Sequence, residues 1–310
     1  MERTPGRFRL ATFNLYNLGH EDYPDPADYA LKLQRLAEVI DNLQPDVCAV
    51  QEVREPGCLE ELAAKLPGLG YRFLADAPLE ERRIQNGLLF RSEPLAMGQW
   101  YDYPSIAPGA GEVSRRRFRR PVSWARVRFG TDRTLLVVGV HLKSRRPETE
   151  CVPETEPALA RAVLGRTLPV LARVMEAAGL RCLLDEQVAA GAADCYAVLG
   201  DFNDGPESEA VWLAQGVDET RSGADIGPER LLVPALAARP GEGEFFSYCG
   251  SAGCELIDHI LVSRSLAGCL VQAGVESRLL VDEGASGSDH APVWAEFEVQ
   301  NTGDRKQNTG

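Results

Sequence analysis

Two short polar motifs far apart in the chain carry residues suited to binding a metal ion beside a phosphate. They are Gly200-Asp201-Phe202-Asn203-Asp204 and Ser288-Asp289-His290-Ala291-Pro292. Each adjoins an apolar run typical of a β-strand, residues 198–199 before the first and residues 293–297 after the second. Carboxylates at strand ends are poor core material, but their oxygens are good ligands for Mg²⁺ held against a phosphate.

Six segments share one pattern, in which an apolar strand ends in polar residues that can reach a common site. These segments contribute Asn14, Gln51-Glu52, His141, Asp201-Phe202-Asn203, Asp258-His259 and Asp289-His290. Carboxylates and an amide suit Mg²⁺ or Mn²⁺, and the lack of cysteine in the set argues against zinc. Each residue alone has a simpler interpretation as a turn, cap or surface residue, but together they are hard to explain that way.

The spacing within the first motif predicts how its side chains point. If the strand continues, Asp201 and Asn203 share one face and Phe202 points to the core.

The elements that must position these residues are strands with helices between them. We predict helices at 26–43, 58–66, 158–190 with a break at Gly179, and 207–213. We predict strands at 8–15, 47–50, 71–74, 87–90, 122–129, 134–140, 196–199, 245–248, 256–262 and 292–299. We predict that residues 92–120 are rich in loops and that residues 216–244 are irregular. No linker-like stretch divides the 310 residues, which favours one α/β domain over 1–300 and a disordered tail over 301–310.

The charge pattern bears on possible partners. A net charge of −13 argues against a protein that grips nucleic acid over its whole surface. Residues 115–120 nevertheless hold five arginines in six positions, which fits either a local anion-binding site or a solvated loop.

Compartment and redox state leave two alternatives open. No apolar run is long enough to span a bilayer and no secretory signal is visible, so we expect a cytoplasmic protein without a membrane partner, although a secreted mature form stays open. Cys249 and Cys254 flank Gly-Ser-Ala-Gly and fit either a hairpin disulfide or reduced thiols, the latter being the cytoplasmic default.

The motifs together resemble the deoxyribonuclease-I-like endonuclease/exonuclease/phosphatase superfamily, and are most similar to its bacterial nuclease-type members. The resemblance covers about residues 8–299 and rests on Thr12-Phe13-Asn14-Leu15, Pro45-Asp46-Val47 with Gln51-Glu52, His141-Leu142-Lys143-Ser144, Gly200-Asp201-Phe202-Asn203-Asp204, Ile257-Asp258-His259-Ile260 and Ser288-Asp289-His290-Ala291-Pro292. It implies an α/β fold, a four-layer sandwich with two central mixed β-sheets flanked by helices and a site at one rim.

The resemblance also implies a role for each residue. Glu52 would be the principal Mg²⁺ ligand (Mn²⁺ being the alternative), with Asn14 and Asp289 completing or supporting the metal site. Asp201 would orient or deprotonate the attacking water, and Asn203 would hold that water or a phosphate oxygen.

The imidazoles and cations have implied roles of their own. His290 would contact the phosphate or act as a base oriented by Asp258, and His141 would donate to a non-bridging oxygen. Arg120 and Lys143 are candidate substrate-binding residues. His259 is expected to be structural.

The expected activity is therefore Mg²⁺-dependent hydrolysis of a phosphodiester by in-line attack of water, without a covalent intermediate. A nuclease that cleaves DNA or RNA is the leading prediction, and the alternative is a phosphatase or phosphodiesterase acting on a lipid headgroup or small phosphoester. An inactive binding module is the third hypothesis. The sequence does not indicate the oligomeric state.

Overall fold

Strands make up most of the protein's framework. The computed structural model describes residues 5–75, 84–104, 117–216, 230–238, 245–251, 253–281 and 287–299. The strands are β1 (Arg7–Leu18), β2 (Val47–Val53), β3 (Arg72–Ala75), β4 (Gln85–Phe90), β5 (Ala96–Asp102), β6 (Arg117–Phe129), β7 (Arg133–His141), β8 (Cys195–Asp201), β9 (Leu232–Pro234), β10 (Tyr248–Gly250), β11 (Gly253–Glu255), β12 (Asp258–Ser263), β13 (Leu270–Val275) and β14 (Val293–Glu298).

The helices lie between the strands in the chain. The longer ones are α1 (Pro26–Leu43), α2 (Pro56–Ala64), α3 (Ala158–Ala189) and α4 (Glu209–Gln215). Four-residue helices cover Ala235–Ala238, Arg264–Ala267 and Arg278–Val281, and single 3₁₀ turns cover His20–Asp22 and Thr149–Cys151. No helix in the described ranges is both long and apolar enough to cross a membrane.

Two six-stranded sheets form the centre of the fold. The first has the order β13-β14-β1-β2-β4-β3 and the second β5-β6-β7-β8-β12-β9. Pairing is parallel between β1 and β2 and between β7 and β8, and antiparallel elsewhere in both sheets, so each sheet is mixed. Strands β10 and β11 form a separate hairpin, which the Cys249–Cys254 disulfide closes.

Three apolar clusters divide the molecule into four layers. One cluster fills the space between the sheets, where Ala49 and Leu88 of the first sheet meet Val137 and Leu199 of the second. A second cluster joins the first sheet to α1 and α2, and a third joins the second sheet to α3 and α4. Burial of both faces explains why these strands read as continuous apolar runs, and the predicted four-layer sandwich is confirmed.

The first long helix follows its sequence signals closely. The Asp25 side chain accepts a hydrogen bond from the Ala27 amide, and Pro26 is the first residue of the helix. Gln44, with a left-handed backbone, follows its last residue. Leu33, Leu36 and Ile40 lie on its buried face, as the periodicity predicted.

The predicted break at Gly179 is wrong, because α3 continues through it without interruption. A Cβ atom at Gly179 would lie 2.4 Å from the Tyr103 ring. The glycine therefore allows a tyrosine to pack against the helix, and the breaker signal reflects close packing instead of a chain turn.

Two segments predicted to be loops contain strands. Strand β5 and the start of β6 lie within 92–120, and β9 lies within 216–244. Residues 105–116, 217–229, 239–244 and 300–310 lie outside the described residues, and so do Arg115, Arg116 and the predicted tail.

Two arginines on β1 form ion pairs with β14 in very different surroundings. Arg9 pairs with Glu296 at 2.6 Å, and the two side chains are only 7% and 8% exposed. Arg7, two residues before Arg9, pairs with Glu298 at 3.6 Å, and the side chain of this glutamate is 61% exposed. Removing one partner of a buried pair leaves an uncompensated charge, whereas an exposed pair contributes little.

We therefore expect Arg9→Ala to lower the free energy of unfolding by about 3–5 kcal/mol. Arg7→Ala is the matched control on the same strand and should cost at most about 1 kcal/mol. Urea unfolding monitored by tryptophan fluorescence measures both, and equal losses would show that burial does not set the value of the Arg9 pair.

Candidate active site

The register of the second sheet places three of the predicted site residues side by side. His141 on β7 is the parallel partner of Asp201 on β8, and Asp258 on β12 is the antiparallel partner of the same residue. The polar ends of three adjacent strands therefore meet at one rim of the sheet. His141 and Asp201 end their strands, as the apolar-then-polar pattern predicted, whereas Asp258 begins β12.

The Asp201 carboxylate lies at the centre of the rim and is almost fully buried. Its Oδ2 atom accepts a hydrogen bond from Asn14 Nδ2 at 3.0 Å, which links the two sheets. The same oxygen lies 3.3 Å from His141 Nε2 and 3.9 Å from His290 Nε2. Residues from four distant parts of the chain therefore converge on one oxygen atom.

The strand does not continue through the motif that follows Asp201. Asp201 Oδ1 accepts a hydrogen bond from the Asn203 amide at 2.7 Å, and Asn203 has a left-handed backbone with φ of 54°. The prediction that Asp201 and Asn203 share a face by strand alternation is therefore wrong, because an Asx-type turn ends the strand. Phe202 is fully buried, as predicted, and Asn203 Nδ2 donates to the Leu142 carbonyl at 3.1 Å.

His290 and Asp258 form a hydrogen-bonded pair with 2.8 Å between Nδ1 and Oδ2. Burial by itself lowers the pKa of His290, but the carboxylates of Asp258, Asp201 and Asp289 outweigh it and raise that pKa. Burial, followed by repulsion from Asp258, raises the pKa of Asp201. The imidazole thus holds a proton, with Nε2 turned toward Asp201 and Nδ1 fixed by Asp258.

Irregular backbone carries Glu52 to the same rim. Register shifts interrupt β1 between Asn14 and Leu18 and β2 between Val50 and Val53. Within these shifts Tyr16, Asn17 and Glu52 have positive φ values of 50°, 51° and 63°. The Asn17 amide donates to Glu52 Oε2 at 3.0 Å, so adjacent bulges in two parallel strands hold this carboxylate in place.

Glu52 and Asp289 are the carboxylates best placed for a cation. Asp289 Oδ1 is buried and has no hydrogen-bond partner among the described residues. Burial raises the pKa of Asp289, and the charge of Glu52 adds to that rise while His290 opposes it. A buried oxygen without a partner beside a second carboxylate is what a hard divalent cation would satisfy.

A second set of ligand atoms, from Asp201, Asp258 and His290, lies within 4.8 Å of one another. His290 Nδ1 and Asp258 Oδ2 already bond each other, so we favour Glu52 and Asp289 as the metal carboxylates. Asn14 turns Nδ2 toward Glu52 Oε1 at 3.4 Å, and its Oδ1 accepts from the Tyr16 amide. Its predicted role as a metal ligand stays a prediction.

A cleft of about 350 Å³ opens over these groups. The predicted site residues that line it are Glu52, Arg120, His141, Asp201, Asn203, Asp289 and His290. Ser144 and Ile257, from the quoted motifs, also line it, together with residues for which the sequence analysis predicted no role, namely Arg145, Arg146, Tyr248 and Glu255. Arg145 donates to the Asn203 carbonyl at 2.9 Å and pairs with Glu255 at 2.6 Å. The Tyr248 ring lies 5.0 Å from the His290 ring.

The described part of the arginine run faces inward for the most part. Arg120 lines the cleft and is buried, with Nη1 donating to the Leu142 carbonyl at 3.1 Å. Arg119 makes a two-bond ion pair with Glu148, and only Arg117, near Asp102, is well exposed. Arg119 therefore fits neither the solvated loop nor the local anion-binding site, because a nearly buried carboxylate binds it.

Lys143 and His259 lie beside the cleft without lining it. Lys143 Nζ donates to the Ser144 carbonyl at 3.0 Å and lies 3.6 Å from Glu148, so its ammonium already has an anionic neighbour within the protein. His259 Nε2 lies 2.8 Å from the Asp204 carbonyl, which agrees with the structural role expected for it. Substrate binding by Lys143 stays a prediction that the geometry does not favour.

Comparisons with known proteins agree with this geometry. The model of the Endonuclease/Exonuclease/phosphatase family matches residues 11–290. Among curated proteins nothing matches. An endonuclease/exonuclease/phosphatase from Bacteroides vulgatus is 18% identical, with a TM-score of 0.62 over 95% of this chain and 99% of that one.

Two further solved structures share the fold. ANGEL2, a 2′,3′-cyclic phosphatase, is 15% identical with a TM-score of 0.62, over 94% of this chain and 95% of its own. The 3′ phosphatase NExo from Neisseria, bound to product DNA hairpin, is 19% identical with a TM-score of 0.57, over 94% and 99% of the two chains.

The bond between Asp258 and His290 generates a prediction. We expect Asp258→Asn to lower kcat by about 100-fold or more, because the amide no longer fixes the imidazole tautomer or stabilises its charged form. Steady-state hydrolysis of a chromogenic phosphodiester measures the loss. Asp194→Asn, at the opposite end of β8 where the carboxylate accepts from Thr134, is the control and should keep full activity. Equal effects of the two variants would contradict the positioning role.

Proposed function

Because this chain belongs to the endonuclease/exonuclease/phosphatase family, we propose that its cleft hydrolyses phosphodiesters with the help of a divalent metal ion. One observation carries the proposal: Asn14, His141 and His290 surround a single buried oxygen of Asp201. This cluster adjoins a pair of carboxylates suited to a cation. Cation, imidazoles and an oriented carboxylate are the groups that in-line attack of water on a phosphodiester requires.

Glu52 and Asp289 would hold Mg²⁺ or Mn²⁺. The partnerless Oδ1 of Asp289 and the backbone bond that fixes Glu52 Oε2 fit a hard cation with oxygen ligands. When bound, the ion supplies Lewis-acid neutralisation of the phosphate charge.

The remaining roles belong to the buried hydrogen-bonded groups. Asp201, with a raised pKa, orients the water and accepts its proton at Oδ2. The protonated His290, held by Asp258, donates through Nε2 to the phosphate. His141 Nε2 lies on the other side of the same Asp201 oxygen, where it donates to a non-bridging oxygen as charge builds.

A polynucleotide is the leading substrate class. Arg120, Arg145 and Arg146 line the cleft and supply local positive charge despite the acidic chain. The family contains nucleases and phosphatases, and one solved protein of this fold was captured with a product DNA hairpin. A small phosphoester is the second candidate, favoured by the net charge of −13 and by the commitment of Arg119 to Glu148.

Replacing Glu52 tests the metal assignment. We expect Glu52→Gln to reduce hydrolysis by about 100-fold or more, because the amide lacks the charge that holds the cation. Mg²⁺ should raise the melting temperature of the wild type, and this shift should shrink in Glu52→Gln. Glu38→Gln, at an exposed position on α1 where the side chain bonds Gln34, is the control and should retain both properties. Full activity in Glu52→Gln would show that another set of residues holds the metal.

The substrate class is tested with a panel consisting of duplex DNA, single-stranded DNA, RNA and bis(4-nitrophenyl) phosphate, each with Mg²⁺, Mn²⁺ or EDTA. We expect metal-dependent cleavage of at least one polynucleotide, lost in Asp201→Ala. Hydrolysis of the small diester alone would select the second candidate. No hydrolysis of any substrate would contradict the enzymatic proposal.

A further inference from the structure

A second cavity, of about 480 Å³, opens directly beside the catalytic cleft. Asp289 lines both spaces, and the consecutive residues Tyr248 and Cys249 line the cleft and the cavity respectively. A group bound at Asp289 and His290 is therefore next to this cavity. The roles given above to the catalytic residues make no use of it.

The cavity has a mostly aromatic and apolar lining with a few polar groups. Two tyrosines and three leucines line it, namely Tyr16, Tyr23, Leu31, Leu279 and Leu280. Asp28 and Arg35 also line it and offer both hydrogen-bond acceptors and donors. Apolar walls with a few polar groups are typical of pockets that bind small organic groups.

The walls next to the catalytic centre are held firmly. The buried Lys32 donates from Nζ to the carbonyls of Tyr16 at 2.8 Å and Gly287 at 2.7 Å, and its ammonium lies 5.4 Å and 5.2 Å from the Tyr16 and Tyr23 rings. Tyr16 nevertheless remains 46% exposed. A large aromatic ring that is fixed by its backbone yet open to solvent can stack on a planar ligand at little entropic cost.

We propose that this cavity is a subsite for a nucleobase of the substrate, bound while its phosphate lies at Asp289 and His290. The proposal rests on the proposed function for the position of the phosphate. A base fits better than an alkyl chain, because its faces match the tyrosine rings and its polar edge matches Asp28 and Arg35. The subsite therefore favours nucleotides over equally charged phosphoesters without a ring.

Binding of two matched ligands separates the ring from the phosphate. In an Asp201→Asn background with Mg²⁺, calorimetry compares adenosine 5′-monophosphate with ribose 5-phosphate, which differ by the base alone. We expect the nucleotide to bind about 10-fold more tightly, the contribution typical of one stacked base. A ratio near one, or no detectable nucleotide binding, would overturn the proposal.

Two variants locate the effect. Leu31→Glu places a charge on the cavity wall at a residue 44% exposed on α1, and Tyr23→Leu removes a ring without adding charge. Both should bring the affinity ratio close to one. Repulsion of phosphate by the new glutamate cancels in the ratio, because both ligands carry the same phosphate. Leu164→Glu is the matched control, a leucine 43% exposed on α3, and should keep the ratio of about 10. An unchanged ratio in both cavity variants would place the base elsewhere.

A second ligand pair tests the kind of ring. We expect phenyl phosphate to bind more tightly than methyl phosphate by a smaller factor than the factor that separates adenosine 5′-monophosphate from ribose 5-phosphate. Equal factors for the two pairs would overturn the choice of a nucleobase. Because no ligand needs to be hydrolysed, failure of the subsite appears as a ratio of one. Failure of the proposed function appears separately, as a lack of metal-dependent cleavage in the substrate panel.

Discussion

The rest of the site depends on the burial of the Asp201 carboxylate where the two sheets meet. A carboxylate removed from water is costly unless polar groups surround it. Here Asn14 of the first sheet and the backbone amide of Asn203 donate to it, and the imidazoles of His141 and His290 lie 3.3 Å and 3.9 Å away. The same contacts that satisfy this carboxylate therefore fix the distances between the catalytic groups. The packing of the two sheets therefore also sets the geometry of the site, since the hydrogen bond from Asn14 to Asp201 joins one sheet to the other.

Much of this arrangement could be predicted from the sequence, because it follows from strand pattern and strand ends. The apolar runs before Glu52, His141 and Asp201 indicated buried strands, and a parallel pair within each sheet brings strand ends to one rim. The two-sheet architecture came from the resemblance carried by the motifs, and the structure agrees with it. Helix α1 was predicted correctly at both ends because its apolar periodicity and the proline after it are local signals.

Features that depend on the tertiary environment could not be predicted. The left-handed backbone of Glu52 has no local signature, since glutamate rarely adopts it and the surrounding packing imposes the conformation. The sequence predicted a helix break at Gly179, because the packing of the distant Tyr103 ring against this glycine leaves no local signal. The sequence left the arginine run as either an anion-binding site or a solvated loop, because Glu148, which binds Arg119, lies 29 residues further along the chain.

The position of β14 determines when a growing chain can become active. This strand lies between β13 and β1 in the first sheet, and Asp289 and His290 directly precede it. A ribosome-bound chain that has exposed every earlier element still lacks one inner strand of that sheet, the imidazole that bonds Asp258 and the carboxylate of Asp289. The site is therefore assembled only when β14 inserts beside β1, after every strand that precedes it in the chain has been synthesised.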